Sequence, residues 1–453
     1  MKLNLKESTV FISVVKWYVL ASLVGLIVGG SVTLFLKALD WSIVFAERYP
    51  YYFLALPLVF FLNILITRFA PEAEGHGTDK VISAIHKRSG KIKVMVLPVK
   101  LFATIITIMA GGSVGKECPC AQIGGTMGSA LSDLLRFDDA DRKKIVICGI
   151  SAGFVAVFGA PIAGSIFAVE VLFIGSILYD VLLPSFIAGI TAYQVSSFFG
   201  VKYFHHSIEI IPAFSEIYFL EIVLAGVFFG ICAIYVIDMA KVFETIAHKI
   251  TIWKPLKGLI GGALMIGLAF AFSTRYLGLG LDTIEWCLKG NSIEWYAFLV
   301  KVIFAAITLS FGGSGGIVTP IFFVGAAGGA FFAQLLGLDI ANFASIGMVS
   351  LLAATTNTPI AASILCMELF GTQIAPYATV ACVISFMVSG HRSIYPSQIL
   401  AINKTRKAQV EIGKELEALE ENYEAGGSRN YILNALQLIN KRIRGTGKRG
   451  ENE

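Results

Sequence analysis

Residues 111–125 read GGSVGKECPCAQIGG. Lys116 and Glu117 stand side by side here among glycines and ahead of Pro119, in a chain that is otherwise strongly apolar. A glycine-rich turn that leads into a proline-started helix leaves several backbone N–H groups without partners. Lipid offers such groups no partner, so this backbone is expected to be buried in protein or to line a wet cavity. Together with the partial positive charge of a helix amino terminus, these donors predict an anion site.

The composition is that of an integral membrane protein. Of the 453 residues, 56 % are hydrophobic and only 15 % are charged, unlike the composition of an ordinary soluble domain. Several apolar runs approach or reach the roughly 20 residues needed to cross a bilayer core. The clearest runs are 17–36, 51–66, 222–237, 258–274, 322–338 and 377–389. The amino terminus lacks the small-residue cleavage site of a removable signal peptide, so we expect the first run to be retained.

Basic residues cluster near both ends of the chain. The positive-inside rule therefore predicts that both termini are in the cytoplasm and that the number of crossings is even. We expect a multi-pass protein of the plasma (inner) membrane. The seven cysteines are scattered through apolar segments without a CxxC pair. For this reason we expect neither a metal site nor a cofactor, and nothing in the sequence indicates a nucleic-acid partner.

Two pairs of motifs recur in the same order, about 200 residues apart. GAPIAGSIFAVEVL, which starts at residue 159, matches NTPIAASILCMELF, which starts at residue 357, and both include a glutamate, Glu170 or Glu368. GKECPCAQIGGTMG from residue 115 aligns with GIVTPIFFVGAAGG from residue 316. Close packing of glycine-rich helices would explain the glycines, but not the common order of the motifs.

Broken helices at matching places in two halves are typical of transporters whose site lies where the halves meet near the middle of the membrane. We therefore predict a transmembrane domain over residues 1–400. Its halves are expected at about 17–200 and 215–400, related as an inverted repeat.

Glu117 adds a titratable negative charge to the predicted anion site. When ionised it would compete with the anion, and when protonated it would withdraw, so it could act as a gate and carry a proton. The alternative is a structural ion pair between Lys116 and Glu117. The GK dipeptide is not a Walker A loop, because Glu117 stands where Ser or Thr is required. A membrane enzyme built on Lys116, Glu117 and Cys118 lacks a second polar constellation, so we do not expect an enzyme.

These motifs resemble those of the CLC family of chloride channels and chloride/proton antiporters. GKECP at 115–119 looks like the family's G-[KR]-E-G-P, with the gating glutamate at Glu117. GGIVTP at 315–320 resembles G-x-F-x-P, and GHGTD at 75–79, followed by LPVK at 97–100, resembles G-S-G-I-P and its sequel. SIYPSQIL at 393–400 looks like the segment that bears the anion-coordinating tyrosine, here Tyr395. The likeness covers about residues 17–400.

The resemblance implies an all-helical membrane fold of many tilted and broken helices, arranged as an inverted repeat. It also implies a homodimer in the lipid bilayer, with one pore per subunit and contacts from the helices after Pro161 and Pro359. Chloride or similar small anions would be transported, with protons as a second species. A central anion would be held by Tyr395, and an external site would be occupied by Glu117 when the gate is shut. The anion-binding residues implied are His76, Gly77, Lys116, Cys118, Pro119, Ile317, Val318 and Tyr395.

Three positions depart from the family pattern. His76 stands at the coordinating serine, and Val318 replaces the usual phenylalanine. Val171 stands where antiporters carry an inner proton-transfer glutamate, one residue after Glu170, which matches a family glutamate regarded as structural. Because valine cannot carry a proton, we expect proton coupling to be weak or absent.

Two alternatives stay within the family. One is a chloride/proton antiporter that uses another inner carboxylate or water, and the other is a fluoride/proton antiporter. The fluoride branch also lacks the inner glutamate, but the intact GGIVTP motif argues against it.

Residues 401–453 are expected to form a cytoplasmic tail that is too short for the paired CBS domains of many relatives. Within it, EIGKELEALEENYEA at 411–425 and SRNYILNALQLINKRIRG at 428–445 predict two amphipathic helices. We expect them to lie on the membrane face or on the partner subunit.

Overall fold

The computed structural model describes residues 5–206, 208, 215–404 and 411–416, with side chains from residue 12 onward. This part of the chain is almost entirely helical, with one short parallel strand pair. The helices and strands are α1 (Leu5–Ala46), α2 (Leu56–Thr67), α3 (Gly77–Arg88), α4 (Val96–Met109), α5 (Glu117–Leu134), α6 (Asp139–Phe158), α7 (Pro161–Glu170), β1 (Phe173–Ile174), α8 (Tyr179–Phe198), α9 (Glu216–Lys249), α10 (Lys254–Ala271), α11 (Leu281–Leu288), α12 (Ala297–Ser310), α13 (Val318–Leu336), α14 (Ile340–Thr356), α15 (Pro359–Phe370), α16 (Ala375–Val388) and β2 (Ile399–Leu400).

Five of the described helices are long and apolar enough to cross a membrane, namely α1, α8, α9, α10 and α13. The apolar runs read from the sequence lie in or largely in α1, α2, α9, α10, α13 and α16. The sequence did not single out α8, because Tyr179 and Asp180 open it and Pro184 interrupts its apolar pattern. The expectation of an all-helical membrane fold is confirmed.

Several helices are too short to cross the bilayer. α7 has 10 residues and α15 has 12, so each is about 15–18 Å long against a hydrocarbon core of about 30 Å. Each begins at a proline, Pro161 or Pro359. The preceding helices α6 and α14 end at left-handed residues, Gly159 with φ +69° and Asn357 with φ +58°. The chain therefore turns sharply inside the membrane domain at matching places in both repeats, as broken helices require.

The two repeats hold each other through reciprocal hydrogen bonds. The carboxylate of Glu170 accepts from two N–H groups in the first turn of α15, at 3.1 and 2.7 Å. Glu368 accepts from the matching two groups of α7, at 3.0 and 2.8 Å. Gly115 and Gly316 exchange both of their backbone hydrogen bonds, each at 2.7 Å. Such mutual exchange is the pattern that a twofold relation between the halves produces.

Two buried lysines occupy equivalent places in the repeats. Lys100 donates to the carbonyl oxygens of Ala73 and Gly75, at 3.1 and 2.8 Å. Lys301 donates to the matching carbonyls of 276 and 278, at 3.0 and 3.1 Å. Both lysine side chains are fully buried. Each lysine thus donates to two carbonyls of an irregular loop. Lipid could not supply these hydrogen bonds.

The described part of the tail does not begin as a helix. β2 pairs in parallel with β1, and residue 415 forms an antiparallel bridge with Ile399. Gly413 has a left-handed φ of +87° and donates its N–H to the carbonyl of Leu400 at 2.8 Å. The helix expected from residue 411 is therefore wrong over 411–415, because these residues turn and pair with β2. The rest of both predicted tail helices lies outside the described residues.

Candidate anion site

Glu117 is the first residue of α5, and its side chain reaches across to the start of α13. One carboxylate oxygen lies 3.2 Å from the backbone nitrogen of Thr319, and the Thr319 hydroxyl lies 2.7 and 2.6 Å from the two oxygens. Glu117 is only 4 % exposed. The first N–H groups of a helix have no partner within it, so they attract negative charge. The Glu117 carboxylate therefore occupies a place at the start of α13 that is suited to an anion.

Glycine at position 115 makes room for this carboxylate. A Cβ atom there would lie 2.5 Å from the nearer Glu117 oxygen and 2.6 Å from the Thr319 hydroxyl. A Cβ atom essentially never makes non-bonded contacts this short, so any larger residue would push the carboxylate away. The GKECP motif thus supplies both the charged side chain and the space into which it folds.

A second group of donors surrounds Tyr395, which is fully buried. Its hydroxyl lies 3.6 Å from the Cys118 thiol, in the first turn of α5. The Thr78 hydroxyl, in the first turn of α3, is near the Tyr395 hydroxyl. Thr78 is also fully buried, and apart from Tyr395 its hydroxyl has no hydrogen-bond partner in the described part of the chain. Three hydrogen-bond donors from three segments therefore meet at one buried point, where they could surround a small anion.

His76 precedes α3 as its N-cap residue. It forms a parallel bridge with Gly315, and its Nδ1 atom is buried without a hydrogen-bond partner among the described residues. Gly77 packs against the first turns of α5, since a Cβ atom there would lie 2.8 Å from the Cys118 carbonyl oxygen. Both residues therefore belong to the region where α3, α5 and α13 begin.

Two cavities approach this region. One, of about 280 Å³, is lined by His76, Ser314 and Ile317, which is the N-cap residue of α13. The other, of about 700 Å³, is lined by Lys116, the N-cap residue of α5. Lys116 and Ile317 are equivalent in the repeats, 201 residues apart. The cavities thus contact the equivalent ends of the two helices that Glu117 connects.

Val171, which stands where the resemblance places an inner proton-transfer glutamate, is fully buried and has no titratable group. Its carbonyl oxygen accepts from the Gln398 side chain at 2.7 Å. The neighbouring Glu170 is engaged with the start of α15. Neither residue adds a free carboxylate to the region around Tyr395.

The structure brings the sequence-predicted residues together. Helix starts place Lys116, Cys118 and Pro119 beside Ile317 and Val318, and Tyr395 joins them through Cys118. Their individual roles in binding stay predictions. Sequence reasoning missed Thr78 and Thr319, although each is a hydroxyl residue in the first turn of a motif-led helix, which is a signal that could have found them.

The comparisons with known proteins concern the family and the fold. The family model described as voltage gated chloride channel matches residues 58–390. A chloride/fluoride channel protein of Pseudomonas syringae pv. tomato is 34 % identical over 400 residues, which is 86 % of this chain and 88 % of that protein.

Two solved structures share the fold. A CLC-type fluoride/proton antiporter is 27 % identical, with a TM-score of 0.81 over 88 % of this chain and 99 % of that one. A slow cyanobacterial Cl⁻/H⁺ antiporter is 21 % identical, with a TM-score of 0.72 over 84 % of this chain and 96 % of that one. The chain therefore belongs to the CLC family of voltage-gated chloride channels and related antiporters.

Proposed function

We propose that this protein moves small anions, fluoride above all, across the membrane in exchange for protons carried by Glu117. The observation that carries the proposal is the Glu117 carboxylate, buried and hydrogen-bonded to Thr319 at the start of α13. There an ionised carboxylate and an anion compete for the same donors. Protonation removes the negative charge and releases the position, so one proton can exchange with one anion.

The choice of fluoride rests on the relatives and on the donors. The name of the 34 % identical relative includes fluoride, and the 27 % identical structure is a fluoride/proton antiporter. We give these two likenesses more weight than the intact GGIVTP motif, which argued against the fluoride branch of the family. Hydrogen bonds to an ionised acceptor are short and strong, so the hydroxyls of Tyr395 and Thr78 suit a small ion of concentrated charge.

The residues near the site suggest that a single carboxylate couples proton movement to anion movement. Val171 offers no titratable group, and Glu170 is held by the first turn of α15. In this proposal Glu117 alone takes up the proton, carries it and releases it. The second candidate, uncoupled chloride transport, is favoured by the same Val171, since without an inner relay the gate could open without proton delivery.

The deciding experiment follows both ions in proteoliposomes of the purified protein. With a fluoride gradient directed outward, at neutral to alkaline pH where HF is scarce, a fluoride electrode records efflux and a trapped dye records internal pH. We expect fluoride efflux to acidify the interior in proportion, in an amount that a protonophore abolishes. Efflux without acidification would support uncoupled transport, and activity with chloride but not fluoride would overturn the choice of anion. Protein-free liposomes supply the leak rate.

Replacing Thr319 with valine should loosen the coupling. Valine has a similar shape but no hydroxyl, so the Glu117 carboxylate loses the hydrogen bond that its two oxygens share with the Thr319 hydroxyl, while the backbone donor stays. We expect fluoride movement without protons to rise by about tenfold or more, because a hydrogen bond to a charged group contributes about 1.5–3 kcal/mol and each 1.4 kcal/mol is about a factor of ten. The measurement is the ratio of fluoride to protons moved in the assay above. Thr319→Ser keeps the hydroxyl and should remain coupled, and a valine variant as tightly coupled as wild type would contradict the role of the hydroxyl.

We also propose that the protein works as a homodimer. The helices α7 and α15, which the sequence analysis placed at the dimer contact, carry large exposed apolar side chains at Ile162 (43 % exposed) and Ile360 (48 % exposed). Chemical crosslinking in membranes tests the assembly. A cysteine at 162 that gives no crosslinked dimer, together with a monomeric mass in detergent, would count against it.

A further inference from the structure

Polar side chains connect Lys404 to the backbone of Tyr395. The Lys404 amino group donates to Asn357 Oδ1 at 2.6 Å, to the carbonyl of Phe386 at 2.7 Å and to the Ser389 hydroxyl at 3.4 Å. It also lies 3.6 Å from the centre of the Phe386 ring. All three acceptors are uncharged oxygens, one each from an amide, a backbone carbonyl and a hydroxyl. Together they use the three N–H donors of the lysine.

The donors and acceptors in this network fix the orientation of each amide. Because Lys404 only donates, the Asn357 atom that faces it is the oxygen, and the Asn357 nitrogen faces Gln398. That nitrogen donates to Gln398 Oε1 at 3.1 Å. Gln398 Oε1 also accepts from the Ser393 hydroxyl at 2.6 Å. Ser393 Oγ in turn accepts from the backbone N–H of Tyr395 at 3.0 Å. The network therefore ends on the residue that carries the anion-facing hydroxyl.

Gln398 connects this segment to two other elements. Its Nε2 atom donates to the carbonyl of Val171, just after α7, at 2.7 Å, and to the carbonyl of Thr356, at the end of α14, at 2.8 Å. Asn357, Gln398 and Ser393 are all at most 2 % exposed. Fully paired networks of this kind hold a backbone rigidly where water cannot compete. The backbone that carries Tyr395 is thus held on both sides, at Ser393 and at Gln398.

The repeats differ at the centre of this network. Asn357 in the second repeat corresponds to Gly159 in the first, and both residues have left-handed backbones, with φ +58° and +69°. Glycine is the least costly residue for that conformation, and asparagine is among the few others that tolerate it. The turn itself therefore needs no side chain at 357. What asparagine adds is its amide, which joins Lys404 to Gln398.

We propose that Asn357, Gln398 and Lys404 are positioning residues that aim the Tyr395 hydroxyl at the transported anion. The inference rests on the proposed function, since it assumes that Tyr395 contacts the anion. It assigns to these three residues a role in anion affinity that they exert without touching the anion. Ser393 and the backbone N–H of Gln398 hold the Tyr395 backbone directly. The side chains of Gln398, Asn357 and Lys404 act through Ser393, so that the Tyr395 hydroxyl stays directed toward Cys118 and Thr78.

The test is a double-mutant cycle on anion affinity in proteoliposomes. Asn357→Gly removes the amide and keeps the left-handed backbone that Gly159 shows to be compatible with the turn. We expect the half-saturating fluoride concentration to rise about threefold to tenfold, as for one or two lost hydrogen bonds. In a Tyr395→Phe background, which lacks the hydroxyl that is being aimed, the same substitution should change affinity by less than about twofold, because residues in one network are not additive.

Two further variants separate positioning from folding. Lys404→Met keeps the apolar stem over Phe386 and removes the donors, and should shift affinity in the same direction as Asn357→Gly. Asn291→Gly, in the loop after α11 where the Asn291 amide donates to the carbonyl of Trp286, is the control for the same amino-acid change elsewhere and should leave affinity unchanged. The half-unfolding temperature of each variant is recorded alongside.

The inference is overturned if Asn357→Gly and Lys404→Met keep wild-type affinity, or if their effects persist in full in the Tyr395→Phe background. Loss of affinity by Tyr395→Phe with no response to the other two substitutions would leave the proposed anion site standing and remove the network from it. An unchanged affinity in Tyr395→Phe itself would instead overturn the anion site and, with it, this inference.

Discussion

Glu117→Gln is expected to abolish proton movement while leaving a conducting anion path. Glutamine has nearly the same size, and its side-chain oxygen can still accept from the Thr319 hydroxyl, so the local packing should persist. Its amide cannot ionise or carry a proton, and it competes with an anion far less than a carboxylate does. We expect proton flux to fall by more than about tenfold, to the level of protein-free liposomes, and anion flux to lose its dependence on pH.

The measurement is simultaneous fluoride and pH recording from proteoliposomes across a range of external pH. Glu285→Gln is the matched control, because Glu285 is an exposed residue of α11 whose carboxylate pairs with Lys289 at 2.6 Å. This control should behave as wild type in both fluxes. Persistent, fluoride-proportional proton movement in Glu117→Gln would remove Glu117 from the role and direct attention to other carboxylates.

Much of the fold could be predicted because short sequence motifs mark the repeat. Glycine before proline marks the start of a broken helix, and the same order of motifs about 200 residues later marks its counterpart. The reciprocal contacts of Glu170 and Glu368 could not be predicted. Each glutamate caps a helix of the other repeat, and a motif that recurs does not reveal which copy its side chain meets.

The candidate site was predictable where a motif supplies a helix start and less so where a single side chain crosses between elements. The glycine and proline neighbours indicated an anion site at the start of α5, and the resemblance to the CLC family extended it to Lys116 to Pro119 and Ile317 to Val318. Thr319 was missed because its hydroxyl matters only once Glu117 folds onto α13. The link from Lys404 to Tyr395 depends on Asn357, which lies far away in sequence, so no spacing rule points to it.

Glu170→Ala is expected to destabilise the protein strongly and to leave coupling intact in the molecules that remain folded. The Glu170 carboxylate accepts from two N–H groups at the start of α15, at 3.1 and 2.7 Å, and Glu170 is only 5 % exposed. Removing it leaves two buried donors unpaired, which costs about 2–5 kcal/mol of unfolding free energy. The measurement is the monodisperse fraction that survives heating in detergent.

Glu368→Ala is the symmetric counterpart, because Glu368 makes the same pair of contacts to α7 at 3.0 and 2.8 Å. Glu368 is less buried than Glu170, so water can replace part of what is lost and the cost should be smaller. Glu170→Gln keeps one acceptor oxygen and should lie between wild type and alanine in stability. If instead Glu170→Gln keeps wild-type stability and loses proton coupling, Glu170 is a proton relay beside Val171, and the assignment of all proton transfer to Glu117 is wrong.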